Sequence, residues 1–283
     1  MDTTPEGEMV AHLLQVVRTI IPIQQQVDER RFKQCGSSVL LAIEGRHVLI
    51  SAAHVVLDDE LWLFSEPRNI VLEEIEFSST SPTFNSANED STNIAFAELP
   101  KGAAEMLHNF GFESLEMKDT AYVSRPSNGR AAFSGFPYSK SNLDARLQRM
   151  KLQPGFIEGT LLTHDELAAA GLEPDSHLAI PYRRKRQFDV RRKLQMTGVH
   201  PRGMSGGPVW RFGNDDKPWL AGIGFKFDEQ RELLVGTRID HVFALIQQQS
   251  IERWLAQHQK PIRKMIFDLK TGKLVEDSED PPL

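Results

Sequence analysis

Between Arg31 and Leu99 short apolar runs alternate with turn residues: Ser38 to Ile43, Glu44-Gly45-Arg46 as a hairpin turn, His47 to Ser51, Leu61 to Phe64 and Val71 to Phe77. Apolar runs of this length, bounded by turn residues, predict strands. The Ser-, Thr- and Asn-rich stretch Ser78 to Thr92 predicts a loop leading to Asn93. Beyond it, Tyr122 to Ala132 turns at Ser127-Asn128-Gly129, Tyr138 to Pro154 reads as a polar surface loop carrying Arg146, Arg149 and Lys151, and Trp219 to Phe227 with Glu232 to Ile239 reads as a final strand pair. Helical spacing is confined to a few places. Met9, Leu13, Leu14, Val16, Val17 and Ile20 mark an amphipathic helix from Pro5 to Ile20 closed by Pro22; Val242, Phe243, Ile246, Ile251 and Trp254 mark another from Asp240 to Gln259. Ala103 to Met117 is partly helical, and His164 to Ala170 is a short helix stopped by Gly171. Lys264 to Val275 predicts a hairpin turning at Thr271-Gly272, followed by an acidic tail of disordered character.

Chemistry concentrates in Val199-His200-Pro201-Arg202-Gly203-Met204-Ser205-Gly206-Gly207-Pro208-Val209-Trp210. Ser205 sits among glycines in a tight loop that feeds an apolar strand, a setting that lets backbone N–H groups approach a bound carbonyl. A serine hydroxyl needs a base, and the base needs an orienting group. Ile50-Ser51-Ala52-Ala53-His54 supplies a candidate base: an apolar strand that runs into small residues and ends at His54. An ordinary Gly-rich hairpin and a structural histidine are the bland alternatives.

Taken together, Ile50-Ser51-Ala52-Ala53-His54 and Gly203-Met204-Ser205-Gly206-Gly207-Pro208 resemble the paired signature of chymotrypsin/trypsin-like serine proteases. Cys35-Gly36-Ser37-Ser38-Val39-Leu40-Leu41 resembles the family's first strand pair. Phe133-Ser134-Gly135-Phe136-Pro137 resembles the turn that opens its second barrel, and Leu220-Ala221-Gly222-Ile223-Gly224 the strand after the nucleophile. The resemblance spans Arg30 to Ile246 and implies a mainly β chain of two six-stranded antiparallel barrels, with N- and C-terminal helices and a short C-terminal hairpin. The corresponding division is residues 1–29 as a helical segment, 30–122 as the first barrel, 123–246 as the second, and 247–283 as helix end, hairpin and tail.

The resemblance also assigns roles: Ser205 nucleophile, His54 base, the N–H groups of Gly203 and Ser205 as oxyanion donors, and Val199, Phe227 and Leu234 as specificity-pocket walls. None of those three is charged, which implies an apolar or small preferred side chain and not cleavage after Lys or Arg. Met204 replaces the aspartate that zymogen-type relatives pair with a new N-terminus, which implies no activation by that route. The family's acidic third member is replaced. Its pattern reads Asn93-Ile94-Ala95-Phe96-Ala97-Glu98-Leu99, so an asparagine stands where the aspartate belongs. Asn93 is then a neutral third member that lowers the rate, a residue bypassed by a carboxylate such as Asp90, or the mark of a chain that keeps the fold without peptidase activity.

Composition narrows the setting. The 283-residue chain is 40% hydrophobic and 25% charged, ordinary for a globular protein, and has no apolar run long enough to span a membrane. A single cysteine forms no internal disulfide, and residues 1–30 lack the basic start and apolar core of a signal peptide; a reducing, cytoplasmic and bacterial setting is expected. No His-Glu-x-x-His or Cys-x-x-Cys spacing occurs, so no metal or other cofactor is implied. The basic run Arg183 to Lys193 stands out from a net charge of −6. It reads as a solvated strand or loop near the cleft, with nucleic-acid binding the less favoured alternative. Two function readings follow: a serine endopeptidase acting on protein or peptide substrates, under control of a regulatory partner, or a silent protease fold that binds a peptide or protein.

Overall fold

The computed structural model describes residues 16–28, 31–56, 61–63, 70–71, 75, 77–79, 92–121, 129–140, 142–144, 149–151, 153–189, 194–258, 265–268 and 273–276. Its main body is two β-sheets, one per half, as the strand periodicity predicts. In the first half the strands are β1 (Ile20–Asp28), β2 (Arg31–Ile43), β3 (Arg46–Ala52), β4 (Leu61–Leu63), β5 (Ile70–Val71), β6 (Ser78–Ser79), β7 (Ile94–Glu98) and β8 (Leu115–Glu116). They lie in the order β5-β4-β1-β2-β3-β7-β6, antiparallel throughout, with β8 added parallel to β2. The sheet has eight strands where six are expected, and three of them, β5, β6 and β8, are only two residues long.

The chain differs from expectation at its start. Ile20 and Pro22 belong to β1, not to a helix or its stop, and the first sheet begins at Ile20 rather than Arg30. Ile20, Ile21 and Ile23 are all fully buried. β-Branched residues buried on both faces suit a central strand, and β1 lies between β2 and β4. Helix persists only as far as Val17, after which Thr19 Oγ1 donates to the Val16 carbonyl at 2.7 Å. The Pro5 to Gln15 part of the predicted helix lies outside the described residues. The predicted turn at Glu44-Gly45 is a two-residue hairpin loop with φ of 49° and 77°, the form that matches the twist of its strands.

The second half holds β9 (Arg130–Gly135), β10 (Asn142–Asp144), β11 (Arg149–Lys151), β12 (Gly155–Thr160), β13 (His177–Pro181), β14 (Gln187–Asp189), β15 (Leu194–Met196), β16 (Pro208–Phe212), β17 (Pro218–Asp228) and β18 (Leu233–Arg238). Six of these form one antiparallel sheet in the order β12-β9-β16-β17-β18-β13. Its edges approach each other where Gly159 of β12 lies against Ile180 of β13, too close for any Cβ. β10 and β11 form a separate hairpin within what reads from sequence as a plain polar loop. β14 and β15 form another, and of the described part of the basic run Arg184–Arg186 make a 3-10 turn that leads into β14.

Short helices α1 (Ala53–Val56), α2 (Lys101–Asn109) and α3 (His164–Ala169) decorate the sheets. The chain forms two compact units, Met1–Phe243 and Ala244–Leu283; α4 (Ile239–His258) runs from the first into the second. Within the second unit, β19 (Met265–Asp268) and β20 (Lys273–Glu276) form the expected hairpin.

The seam between the halves is apolar. One buried cluster joins Leu40, Leu49, Ala95 and Leu107 of the first half to Leu167, Ala179, Phe225 and Val235 of the second. A second cluster fills the second half, around Phe133, Ile180, Met204, Val209 and Leu234. Near the seam, Gly36 of β2 leaves room for α1: a Cβ there would stand 2.2 Å from Val55 Cγ1. Gly36→Ala is therefore expected to cost about 1–3 kcal/mol, the usual penalty of overpacking. Adding Val55→Ala should recover part of that loss, because the two changes share one space. Urea unfolding of the single and double variants checks it; a double variant as unstable as the sum of the singles contradicts it.

Candidate active site

β3 and β7 pair with Ala52 opposite Ile94, so the residue before β7 meets the residues after β3. Asn93 and α1 meet there. The Ala53 N–H donates to the Asn93 carbonyl at 3.1 Å, and the His54 N–H to Asn93 Oδ1 at 3.0 Å. His54 Nδ1 lies 3.1 Å from the same Oδ1. A backbone N–H can only donate, so the oxygen of the Asn93 amide must face His54. Because that oxygen can only accept, Nδ1 carries the ring proton, which leaves Nε2 as the basic nitrogen. Asn93 thus fixes the tautomer a general base requires, but through a neutral amide. Asp90 lies outside the described residues.

Ser205 stands in the loop between β15 and β16, half-buried. Around it four successive peptide groups are pinned. The Arg202 carbonyl accepts from Tyr138 N–H at 2.8 Å. In a trans peptide C=O and N–H point opposite ways, so the Gly203 N–H faces away from Tyr138. The Gly203 carbonyl accepts from Ser37 Oγ at 3.0 Å, while Met204 N–H donates to Pro201 O at 2.8 Å. The Met204 carbonyl accepts from Gly207 N–H at 2.9 Å, which directs the Ser205 N–H the other way. Finally the Ser205 carbonyl accepts from Ser37 N–H at 2.7 Å, and Gly206 N–H donates to Gly224 O at 2.6 Å. Among the described residues, the Gly203 and Ser205 N–H groups are left with no protein acceptor. Two such donors flanking a hydroxyl can stabilise a developing oxyanion.

This path needs glycine at two points. Gly203 has φ +90° and Gly206 φ +85°, and a Cβ on Gly206 would fall 1.9 Å from the Ser37 carbonyl oxygen and 2.2 Å from Ser51 Oγ. Ser37 itself is fully buried and, besides its bonds to the loop, accepts at Oγ from Phe136 N–H at 2.9 Å and at its carbonyl from Ser51 Oγ at 2.8 Å. Sequence reasoning placed Ser37 only within a strand motif; its second role follows from a contact between residues far apart in the chain. Met204 is buried in the second-half core, so an apolar side chain fills the place the resemblance gives to an aspartate.

In this conformation the Ser205 hydroxyl donates to the Phe225 carbonyl at 3.2 Å. Of the three expected pocket residues, the structure links Val199 and Phe227 through Tyr182: its hydroxyl donates to Val199 O at 2.7 Å and its ring lies 5.7 Å from that of Phe227. Burial pushes the Tyr182 phenol pKa up, partly offset by the Arg184 charge. Leu234 is opposite Phe227 in the β17–β18 register and buried. Tyr182 was not anticipated from sequence. His164 and Asp165, neighbours in sequence, lie 3.9 Å apart on an exposed helix end and join no cleft.

No protein-family model matches the chain, and no curated protein matches it in sequence. Solved structures do. The VesB protease of Vibrio cholerae matches with a TM-score of 0.51 at 13% identity, over 82% of this chain and 64% of that one. Neuropsin, a serine protease of mouse brain, matches at 0.47 and 15% over 82% and 94% of the two chains. The serine protease domain of the Sesbania mosaic virus polyprotein matches at 0.46 and 14%, over 80% and 90%. With its two antiparallel sheets, the chain shares the double-barrel architecture of the VesB protease; identity this low shows the architecture alone. No helix among the described residues is long and apolar enough to cross a membrane.

In ¹⁵N-labelled protein the neutral His54 ring should show a protonated Nδ1 and an unprotonated Nε2. Asn93→Ala should abolish that preference and cost about 1–3 kcal/mol, because two donors lose their acceptor. An Nε2–H tautomer in the unaltered protein contradicts the assignment.

Proposed function

We propose that the chain is a serine endopeptidase in which Ser205 is the nucleophile, His54 the base, Asn93 its orienting partner, and the Gly203 and Ser205 N–H groups the oxyanion donors. The observation that carries this reading is the pinned loop, which leaves the Gly203 and Ser205 N–H groups with no protein acceptor among the described residues. After the hydroxyl leaves Phe225 O, Oγ bonds to the scissile carbonyl carbon and its proton passes to His54 Nε2. The carbonyl oxygen, now an anion, is held by the two N–H groups. His54 returns the proton to the departing amine as the C–N bond breaks, and water repeats the sequence to release the acid. The uncharged side chains of Val199, Phe227 and Leu234 favour an apolar or small side chain on the acyl side. Cys35 as sole cysteine supports a reducing compartment, consistent with a cytoplasmic bacterial enzyme.

Two observations favour the rival reading, a silent module that grips a peptide or protein partner: the neutral Asn93 beside His54, and the resting bond of Ser205 to Phe225 O. Nucleic-acid binding through Arg183 to Lys193 has weaker support. Arg183 pairs with Glu232 at 3.3 Å and Arg184 donates to Gly198 O at 3.3 Å, so these cations are engaged within the chain.

Intact-mass measurement of fluorophosphonate labelling separates the first two. The unaltered protein should take up one label, and Ser205→Ala and His54→Ala should abolish it. Asn93→Asp keeps both acceptor bonds and adds the charge that stabilises the imidazolium. It should raise the labelling rate by up to about 10⁴-fold, the loss associated with the reverse change in a trypsin-type triad. A folded protein that takes no label, with or without Asn93→Asp, contradicts the peptidase reading.

A further inference from the structure

A substrate carbonyl held by the Gly203 and Ser205 N–H groups must direct its acyl-side side chain into the space beside Ser205. Two segments bound that space. One is the approach to the loop, from Val199 to Arg202. The other is the end of β17, which Ser205 touches through Phe225 O at 3.2 Å.

In this chain three rings bridge these walls. Phe227 of β17 meets the His200 ring edge-on, with centroids 6.1 Å apart and planes at 84°. On its other contact it meets Tyr182 at 5.7 Å and 63°, and Tyr182 in turn donates through its hydroxyl to Val199 O at 2.7 Å. Phe227 is partly buried against the second-half core, and the other two rings are held by hydrogen bonds. Tyr182 is 2% exposed, and its N–H donates to Glu232 O at 2.7 Å. His200 is held at both nitrogens: Nδ1 accepts from Arg202 N–H at 3.2 Å and Nε2 lies 3.2 Å from Glu229 Oε1. Leu234, buried and opposite Phe227, closes the floor.

We infer that the acyl-side pocket is plugged by the chain's own Phe227 and Tyr182 rings, so that the substrates of this site carry Gly, Ala or Ser there and not the large apolar side chains that uncharged walls alone would admit. The inference rests on the peptidase reading and narrows it to a substrate class. It makes Tyr182 a specificity-determining residue through the bulk of its ring; its hydroxyl only anchors that ring.

Peptidyl diphenyl phosphonates that differ only in the acyl-side residue, Ala against Phe, test this. Each reacts by forming a bond from Ser205 Oγ to phosphorus while phenol departs with the hydroxyl proton. A fluorophosphonate with no such side chain serves as the control. The unaltered protein should react with the Ala probe roughly 100-fold faster than with the Phe probe, the scale at which a closed apolar pocket discriminates. Phe227→Ala and Tyr182→Ala, with folding verified by circular dichroism, should each reduce that ratio at least about tenfold, whereas Tyr182→Phe should leave it unchanged. The ratio for the unaltered protein needs no variant: equal rates for the two probes overturn the plug. An unchanged ratio in the folded alanine variants overturns it as well. A protein that reacts with the fluorophosphonate but discriminates in favour of Phe defeats the plug while leaving the peptidase reading intact; one inert to the fluorophosphonate defeats both.

Discussion

The hydrogen bonds that Ser37 makes across the seam are what the geometry of the site rests on. Its N–H holds the carbonyl of Ser205 and its hydroxyl holds the carbonyl of Gly203, from a strand of the other half of the molecule. A buried hydroxyl costs free energy unless its bonds are made. Here Oγ donates once and accepts once, from Phe136 N–H, so its bonds are complete. With those two carbonyls tied to β2, and the Arg202 and Met204 carbonyls tied to Tyr138 and Gly207, the orientation of every peptide group from Arg202 to Gly206 is determined. The Gly203 and Ser205 N–H groups are therefore held in fixed directions. The same dependence explains the packing at the seam. Gly206 must be glycine because Ser37 O and Ser51 Oγ occupy the space of its missing Cβ, and buried Met204 holds the loop from beneath by packing alone.

The other half of the site is oriented by a neutral group. Asn93 supplies the acceptor that orients His54 and selects its tautomer, and the two bonds to Oδ1 are of ordinary length. What it omits is the field of a carboxylate, and the magnitudes decide how much that matters. An orienting bond is worth about 1 kcal/mol. A factor of 10⁴ in rate is about 5.4 kcal/mol at 1.36 kcal/mol per decade. Geometry and catalytic power are thus separable here.

The architecture was legible in the sequence because strands of a twisted, half-buried sheet leave a direct imprint on the spacing of apolar residues. His47 to Ser51, the Glu44-Gly45 turn and the last strand pair all lie where that spacing puts them. Ile20 to Ile23 misled for a physical reason. Three isoleucines buried on both faces carry no alternation, and a run of apolar residues after Val16 and Val17 continues a helical spacing equally well. His54, Asn93 and Ser205 were legible as local motifs, and the structure joins the first two directly. Ser37, Tyr138 and Tyr182 were not, since each acts through a contact with a loop distant in the chain. Tyr182 in particular sits in a stretch whose sequence is dominated by the basic run that follows it.

A crystal structure of the protein with an alanine-type peptide boronic acid shows whether the pinned loop presents its two N–H groups to an oxyanion on Ser205. Ser205 Oγ should bond to a tetrahedral boron, with one boronate oxygen within hydrogen-bonding reach, roughly 2.7–3.1 Å, of both the Gly203 and the Ser205 nitrogen. The Arg202 carbonyl should remain on Tyr138 N–H. A boronate bonded to Ser205 whose oxygens avoid both nitrogens, or a Gly203 peptide turned over to break the Tyr138 bond, would contradict that arrangement.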